Sequence, residues 1–241
     1  MGFVDAHAHY DVLEEKDLEG VSFILLNGMD EVSNRKFLSM TSKKVHVALG
    51  YHPLCVDSEE KALDEIAWIK TQKPKAIAEI GLDYFHEKDP EKIDVQKKVF
   101  IACLELAQEM KLPVLIHARN AVSDVLDIIE DMQTKQAFTQ KFVMHCMEAS
   151  VKNIDRAIAM GSYFTIPASV CRNEQFQRLL DVPLNKMLTE TDAPYQGPVK
   201  GVPAKPQDVA VALDYIAKHK GLDANEVALI VLDTYMRLFM M

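Results

Sequence analysis

The chain has 241 residues, of which 49% are hydrophobic and 26% are charged, and its formal net charge is −9. This composition is ordinary for a globular protein, and the length suffices for one α/β barrel or two small domains. The acidic balance argues against a protein that coats nucleic acid by neutralising its phosphates, although divalent cations bound at a site supply positive charge there.

Eight short, mostly apolar segments recur along the chain and predict β-strands. They span residues 2–7, 21–26, 45–49, 76–80, 114–117, 142–145, 162–166 and 186–191. Short apolar runs are typical of parallel strands that are covered on both faces. We therefore expect a parallel sheet.

Helical patterns lie between and after these segments. Asp89 and Pro90 begin a long one, in which apolar residues recur at helical spacing as far as Met110. Further helices are predicted at residues 122–132, 151–160, 174–180, 206–218 and 224–239. Gly221 lies between the last two, where a helix is expected to end in a glycine.

Strands that alternate with helices predict a parallel α/β fold. The strand count and the chain length favour a (β/α)8 barrel of the TIM type, and a doubly wound open sheet is the alternative. No internal repeat, low-complexity tract or linker interrupts the chain, so we expect residues 1–241 to form a single domain.

The cysteines, at positions 55, 103, 146 and 171, lie far apart and show no C-x-x-C spacing. Reduced thiols are therefore expected rather than a disulfide framework. The first ten residues lack the basic and apolar regions of a signal peptide, and no apolar stretch reaches the length that spans a bilayer. We expect a cytoplasmic protein with no membrane association and no stable protein partner.

Histidines and carboxylates lie at the ends of the predicted strands. They are His7 and His9 at the first strand, Glu79 at the fourth, His117 at the fifth, His145 at the sixth and Asp192 after the eighth. In an α/β barrel the carboxyl ends of all strands converge on one rim, where active sites lie. The sequence therefore predicts that these side chains share one pocket.

His7 and His9 form a His-x-His motif on the first strand. Side chains alternate along a strand, so both imidazoles lie on one side and can bind one metal ion. Glu79 lies in an apolar strand, so its carboxylate must be paired, protonated or metal-bound. As a ligand, it could bridge two cations through its two oxygens. The other interpretation is a buried salt bridge.

His117 and His145 could each be a hydrogen-bonded core histidine. Their positions at matching ends of consecutive strands favour metal ligation instead. Arg119, two residues after His117, shares its face and could offer a planar fork to a phosphate. A salt bridge at the barrel rim explains Arg119 equally well.

The last predicted strand leads into Asp192, which is expected to contact a metal and to orient or deprotonate a water. Glu190, on the same face, and Asp5, on the face of His7, are expected to support the ligands from behind. His52, in a Gly-Tyr-His-Pro motif after the third strand, is expected to contact substrate rather than metal.

Together these motifs resemble the TatD family of metal-dependent deoxyribonucleases, within the amidohydrolase-like barrels. The matching segments are Asp5-Ala-His7-Ala-His9, Gly50-Tyr-His52-Pro53, Ala78-Glu79-Ile-Gly81-Leu-Asp83-Tyr84, Leu115-Ile-His117-Ala-Arg119, His145-Cys146, Glu190-Thr-Asp192-Ala-Pro194-Tyr195 and Arg237-Leu238-Phe239. They cover nearly the whole chain in the family's order. The resemblance implies a hydrolase that cleaves DNA phosphodiester bonds at a divalent-metal centre, whose ligands are the six strand-end residues.

We expect two divalent cations (Zn, Mn or Fe, with Mg less suited to imidazole ligands) that share Glu79. The histidines of the first strand would hold one cation, His117 and His145 the other, and Asp192 would handle the proton. DNA or another phosphodiester is the expected substrate.

Substrate contacts are expected from Tyr84 or Tyr195, which could stack on a base, and from Arg119, which could bind phosphate. The alternative is an enzyme that hydrolyses a small amide, lactone or phosphoester. Many related barrels bridge two metals through a carboxylated lysine after the fourth strand, where this chain has Glu79, and that difference favours the nuclease. A barrel without enzyme activity is a further alternative, which the complete ligand set disfavours.

Overall fold

The computed structural model describes residues 2–240, which fall into two compact units. One unit contains residues 2–26, 40–46 and 163–240, and the other contains residues 27–39 and 47–162. Each unit has a core of apolar side chains with little or no exposure. No helix within residues 2–240 is long and apolar enough to cross a membrane.

Strands and helices alternate along the chain. The strands are β1 (Phe3–Ala8), β2 (Val21–Asn27), β3 (Val45–Leu49), β4 (Ala76–Asp83), β5 (Val114–Arg119), β6 (Phe142–Met144), β7 (Tyr163–Pro167) and β8 (Met187–Glu190). The α-helices are α1 (Glu31–Ser39), α2 (Glu59–Lys70), α3 (Pro90–Met110), α4 (Val122–Lys135), α5 (Val151–Ala159), α6 (Glu174–Gln177), α7 (Val209–Lys220) and α8 (Ala224–Phe239).

The eight strands form one sheet in the order β1 to β8, and neighbouring strands pair in parallel. A doubly wound sheet reverses its strand order at a switch point, whereas this order follows the chain without reversal. The predicted (β/α)8 fold of the TIM type is therefore confirmed.

In the unit that contains β1, this strand lies beside β8. The Thr189 hydroxyl donates a hydrogen bond to the carbonyl oxygen of Val4 (2.5 Å), and the backbone forms a parallel bridge between Ala8 and Ala193. Helix α8 packs on both strands. It does so through residues at helical spacing, of which Val227, Val231, Tyr235 and Leu238 are buried.

In the other unit, β4 pairs with β5, and α3 packs on β4. Helix α3 begins where predicted, because the Asp89 carboxylate accepts a hydrogen bond from the Glu91 amide (2.9 Å). Gly81 allows β4 and β5 to approach closely: a Cβ atom there would lie 2.0 Å from the carbonyl oxygen of His117. Its φ of +141° also favours glycine.

Some element bounds differ from the prediction at places that matter for the site. Strand β4 continues beyond Ile80 as far as Asp83, and β6 ends at Met144, so His145 follows the strand instead of ending it. Helices α1 and α2 are not among the predicted elements. Helix α1 buries only Asn34 and Phe37, which is too little for an apolar stripe.

Asn34 fixes the segment that follows β3. Its side-chain amide donates to the carbonyl oxygen of Gly50 (2.9 Å) and to Glu65 (2.8 Å), and its oxygen accepts from the Gly50 amide (3.2 Å). Gly50 in turn contacts the peptide that precedes Glu79, since a Cβ on Gly50 would lie 2.4 Å from the carbonyl carbon of Ala78. Asn34 of α1 is thus connected, through Gly50, to the backbone that carries Glu79.

Substitution of Asn34 by alanine tests this role. Asn34→Ala leaves the amide and the carbonyl of Gly50 without their partner in a buried place, and we expect the free energy of unfolding to fall by about 2–4 kcal/mol. Urea denaturation measures the loss. The control Asn185→Ala, at an exposed position, should change the free energy by less than about 0.5 kcal/mol. Equal effects of the two substitutions would contradict the role of Asn34.

Candidate metal centre

Two imidazoles and one carboxylate meet at the carboxyl ends of β1 and β8. The Nε2 atoms of His7 and His9 lie 3.1 Å apart. Oδ1 of Asp192 lies 3.7 Å from Nε2 of His7 and 3.5 Å from Nε2 of His9. We call these three residues the His7 cluster. His7 is buried, and His9 and Asp192 are half-buried.

Backbone hydrogen bonds hold the segment after β8 against β1. The amide of Asp192 donates to the carbonyl oxygen of His7 (2.9 Å), and the amide of His9 donates to that of Ala193 (2.9 Å). Asp192 has a φ of +45°, in the left-handed region that aspartate tolerates better than most residues. This backbone turn brings the Asp192 carboxylate to the face of β1 that carries both histidines.

Asp5 lies buried beside the segment that carries Asp192. Its carboxylate accepts from the amide (2.9 Å) and from the hydroxyl (2.6 Å) of Thr191, and the Tyr10 hydroxyl lies 3.0 Å from the Thr191 hydroxyl. Burial raises the pKa of Asp5 to about 8, although the hydrogen bonds from Thr191 oppose the shift. Asp5 thus fixes the residue before Asp192. Glu190 is buried at the end of β8, in register with Pro167 of β7.

Three imidazoles surround one carboxylate oxygen of Glu79. Oε1 lies 3.0 Å from Nδ1 of His117, 3.2 Å from Nε2 of His145 and 3.4 Å from Nε2 of His52. We call these four residues the Glu79 cluster. The Glu79 side chain is only 3% exposed. A carboxylate that has lost its water needs such polar partners, or a cation, to remain charged.

His52 has a hydrogen bond that sets its tautomer. Nδ1 accepts from the Leu54 amide (3.1 Å), so the proton of the neutral ring is on Nε2, which faces Glu79. An Nε2–H group donates to the carboxylate and offers no lone pair to a cation. His52 is also buried. The geometry therefore gives it a role in holding Glu79, and the expected contact with substrate stays a prediction.

Asp83 also contacts the Glu79 cluster, although it is not among the predicted site residues. Its Oδ2 lies 3.1 Å from Nε2 of His117 and 2.9 Å from Nδ1 of His86, and its amide donates to the side chain of Gln96 (3.1 Å). The sequence could have indicated Asp83, because it follows Glu79 by an even number of residues on the same strand. Side chains alternate along a strand, so this spacing puts both carboxylates on one face.

The Asp83–His117 contact favours the charged form of both side chains. Burial disfavours the carboxylate form of Asp83, but hydrogen bonds from His117 and His86 outweigh it and hold the pKa of Asp83 well below its usual range. Burial also disfavours the charged form of His117, but hydrogen bonds to Asp83 and Glu79 raise its pKa above the ordinary value. In the neutral ring of His117, an Nε2–H group that donates a hydrogen bond to Asp83 leaves the lone pair of Nδ1 available to a metal.

The donor sets fit divalent transition metals. Donors bound to one cation at about 2.0–2.2 Å in a tetrahedron lie roughly 3.3 Å apart. The atoms of the His7 cluster are 3.1–3.7 Å apart, and the ring nitrogens of His117 and His145 lie 3.0 and 3.2 Å from Glu79. Mixed imidazole and carboxylate donors suit Zn, Mn or Fe. The His7 cluster therefore has the spacing of a cation site, and in the Glu79 cluster His117 and His145 each have that spacing to the carboxylate.

The expected substrate-binding residues differ in exposure. The hydroxyl of Tyr84 donates to Asp124 (2.9 Å), and this side chain is half-buried. Tyr195 is exposed after β8. Arg119 is exposed at the end of β5, where its guanidinium lies over the ring of Phe85.

The chain is similar to proteins of one family. Residues 4–240 match the family model of the TatD related DNases. YabD of Bacillus subtilis, an uncharacterized metal-dependent hydrolase, is 31% identical over 98% of both chains. Deoxyribonuclease TATDN3 of Homo sapiens is 27% identical over 99% of this chain and 95% of its own. Among solved structures, the TatD homolog YJJV of Escherichia coli has a TM-score of 0.85 at 23% identity, over 99% of this chain and 98% of its own, which shows the same fold.

Asp83→Asn tests how this residue supports the metal. Asparagine keeps the oxygen that accepts from the amides of Phe85 and His86, but its NH2 group cannot accept the Nε2 proton of His117. We expect the affinity for Zn²⁺ to fall about 10- to 100-fold, as is usual when a ligand loses its orienting carboxylate. Calorimetric titration of metal-free protein measures it.

The matched control is Asp124→Asn, because Asp124 also accepts a hydrogen bond from a side chain, that of Tyr84, at a comparable distance of 2.9 Å. Its affinity for Zn²⁺ should stay within about two-fold of the wild type. If Asp83→Asn bound Zn²⁺ as tightly as this control, Asp83 would have no part in metal binding.

Proposed function

The chain belongs to the family of TatD-related DNases and is a metal-dependent hydrolase, and from this membership we propose that it hydrolyses DNA phosphodiester bonds with two divalent cations. The observation that carries the proposal is the pair of clusters that combine imidazoles with a carboxylate: His9, His145 and Asp192 follow the carboxyl ends of parallel strands, and Glu79 lies within one. Active sites of (β/α)8 enzymes lie at these strand ends.

Each cluster would hold one cation. His7, His9 and Asp192 would bind one, and Glu79, His117 and His145 would bind the other. That Glu79 also bridges to the first cation stays a prediction from the sequence. When bound, the cations lower the pKa of a coordinated water and polarise the phosphoryl group, whose phosphorus that water attacks.

The chain's own residues would do the rest. Asp192 is partly open to solvent, with 14% of its side chain exposed, and it would accept the proton of the attacking water. Arg119 would hold a phosphate oxygen through its planar fork. Tyr84 and Tyr195 would contact a base, while Asp5 and Glu190 would support the ligands.

We also propose that residues 1–241 act as a single domain, with DNA or another phosphodiester as substrate and no stable protein partner. The four cysteines are thiols, which supports a location in the reducing cytoplasm.

Metal analysis coupled to digestion of an oligonucleotide tests the function. We expect the purified protein to carry up to two equivalents of Zn, Mn or Fe and to cleave the oligonucleotide. Chelation should abolish cleavage, and addition of the same metal should restore it, because the cations activate the water. Small amides, lactones and phosphoesters are assayed as substrates in parallel with the oligonucleotide. Turnover of amides or lactones alone would replace the nuclease with the alternative enzyme, and metal retention without any hydrolysis would indicate a binding protein.

Glu79→Ala tests the central carboxylate. We expect DNA cleavage to fall by more than about a hundred-fold, since even residues that only orient a ligand cost 10–100-fold. Gel assays of cleavage and the metal content of the purified variant measure the effect. Glu60→Ala on the exposed face of α2 is the matched control and should cleave as the wild type does. Unchanged cleavage by Glu79→Ala would remove this residue from the mechanism.

A further inference from the structure

An exposed aromatic ring lies next to the Glu79 cluster. Phe85 follows β4, and 49% of its surface is exposed. Its amide donates to Asp83 (2.9 Å), whose carboxylate also bonds His117. The exposed part of the ring is accessible to a ligand beside the candidate metal ligands.

Arg119 lies over this ring, and its guanidinium has no ion-pair partner among residues 2–240. The guanidinium carbon is 4.3 Å from the ring centroid of Phe85. Within residues 2–240, Arg119 has no side-chain hydrogen bond and no ion pair, whereas Arg35 and Arg156 both pair with carboxylates. The N–H donors of Arg119 are thus available to an incoming anion.

Lys88 and His86 complete the surroundings of the ring. Nζ of Lys88 lies 6.0 Å from the ring centroid and donates to the carbonyl oxygen of Tyr84. The ring of His86 meets Phe85 edge to face at 4.8 Å. The neighbouring carboxylate of Glu87 accepts from two backbone amides and lies 3.5 Å from the ammonium of a lysine. The groups around the ring therefore favour an anionic ligand.

The segments of Phe85 and Arg119 are joined by the backbone. The amide of Tyr84 donates to the carbonyl oxygen of Arg119 (2.8 Å), and Arg119 follows His117 by two residues on β5. Tyr84 itself has its hydroxyl committed to Asp124. Of the two aromatic residues after β4, Phe85 is the more exposed, so its ring offers a ligand the larger surface.

We propose that Phe85 and Arg119, which we call the Phe85 platform, bind one nucleotide of the substrate beside the scissile bond. The exposed part of the ring stacks on the base, and the guanidinium holds the adjoining phosphate. Aromatic rings stack on every base, and an arginine nearby adds the phosphate contact, so the platform grips a nucleotide without reading its sequence. This inference rests on the proposed function and adds the residue that receives the base.

A comparison of two substrates isolates the stacking contact. The wild type and Phe85→Leu are assayed on an oligonucleotide and on the same strand with abasic residues around the cleaved bond. We expect Phe85→Leu to raise KM for the intact strand about ten-fold or more, the usual contribution of one base stacked on an aromatic residue. For the abasic strand, KM of the variant should lie within about two-fold of the wild type, because the partner of the ring is already gone.

Phe85→Tyr and Arg119→Gln are the companion variants. Phe85→Tyr keeps the ring and should retain the KM of the wild type on both strands. Arg119→Gln should reduce the slope of log KM against log salt concentration by about 0.7, the amount expected for the loss of one phosphate contact on a single strand. Melting temperatures confirm that each variant is folded.

The outcomes separate the platform from the proposed function. If the wild type cleaves DNA but Phe85→Leu raises KM equally for the intact and the abasic strand, or raises neither, the platform is wrong and the nuclease stands. If the wild type cleaves no DNA, the platform is tested separately from catalysis. Fluorescence anisotropy in the presence of chelator then measures how tightly each protein binds the intact and the abasic strand. Equal binding of the intact and the abasic strand by the wild type would overturn the platform. Weaker binding by Phe85→Leu for the intact strand alone would support the platform.

Discussion

A carboxylate shielded from water is the constraint on which the site depends. Oε1 of Glu79 lies within 3.0–3.4 Å of three imidazole nitrogens, and removing such a group from water costs several kcal/mol unless polar partners or a cation replace the water. The surrounding structure serves this requirement. Gly50 makes room for the peptide that carries Glu79, Asn34 fixes Gly50, and Asp83 aligns His117 with the carboxylate.

The fold could be predicted because its signals are local. Apolar runs of strand length alternate with helical periodicity, and eight of them in a chain of this length leave few arrangements. Strand ends were less accessible, since hydrogen bonding decides them: β4 runs on to Asp83 because it pairs with β5 up to Arg119. Helix α1 could not be predicted for a different reason. It is fixed by the polar contacts of Asn34, which a search for an apolar stripe does not detect.

The predicted strand ends pointed to the candidate ligands, but not to their mutual contacts. Alternation put His7 and His9 on one face, and the structure brings them together. The link from His117 to Asp83 and His86 was missed, because the hydrogen bond of a histidine depends on the rotation of its ring, which no spacing encodes. Exposure is likewise a tertiary property. The sequence offered two adjacent aromatic residues after β4, and only the structure shows which of them is open.

The contact between Asp5 and Thr191 has a consequence for biosynthesis. These residues are 186 positions apart, yet they hydrogen-bond within one unit, whereas most of the other unit is the continuous stretch 47–162. A ribosome that adds roughly 5–20 residues per second needs about 10–40 s to go from one residue to the other. During that delay the nascent β1 lacks its neighbour β8, and His7 and His9 lack the carboxylate of Asp192. Translation therefore completes the stretch 47–162 before it supplies the last residue of the His7 cluster.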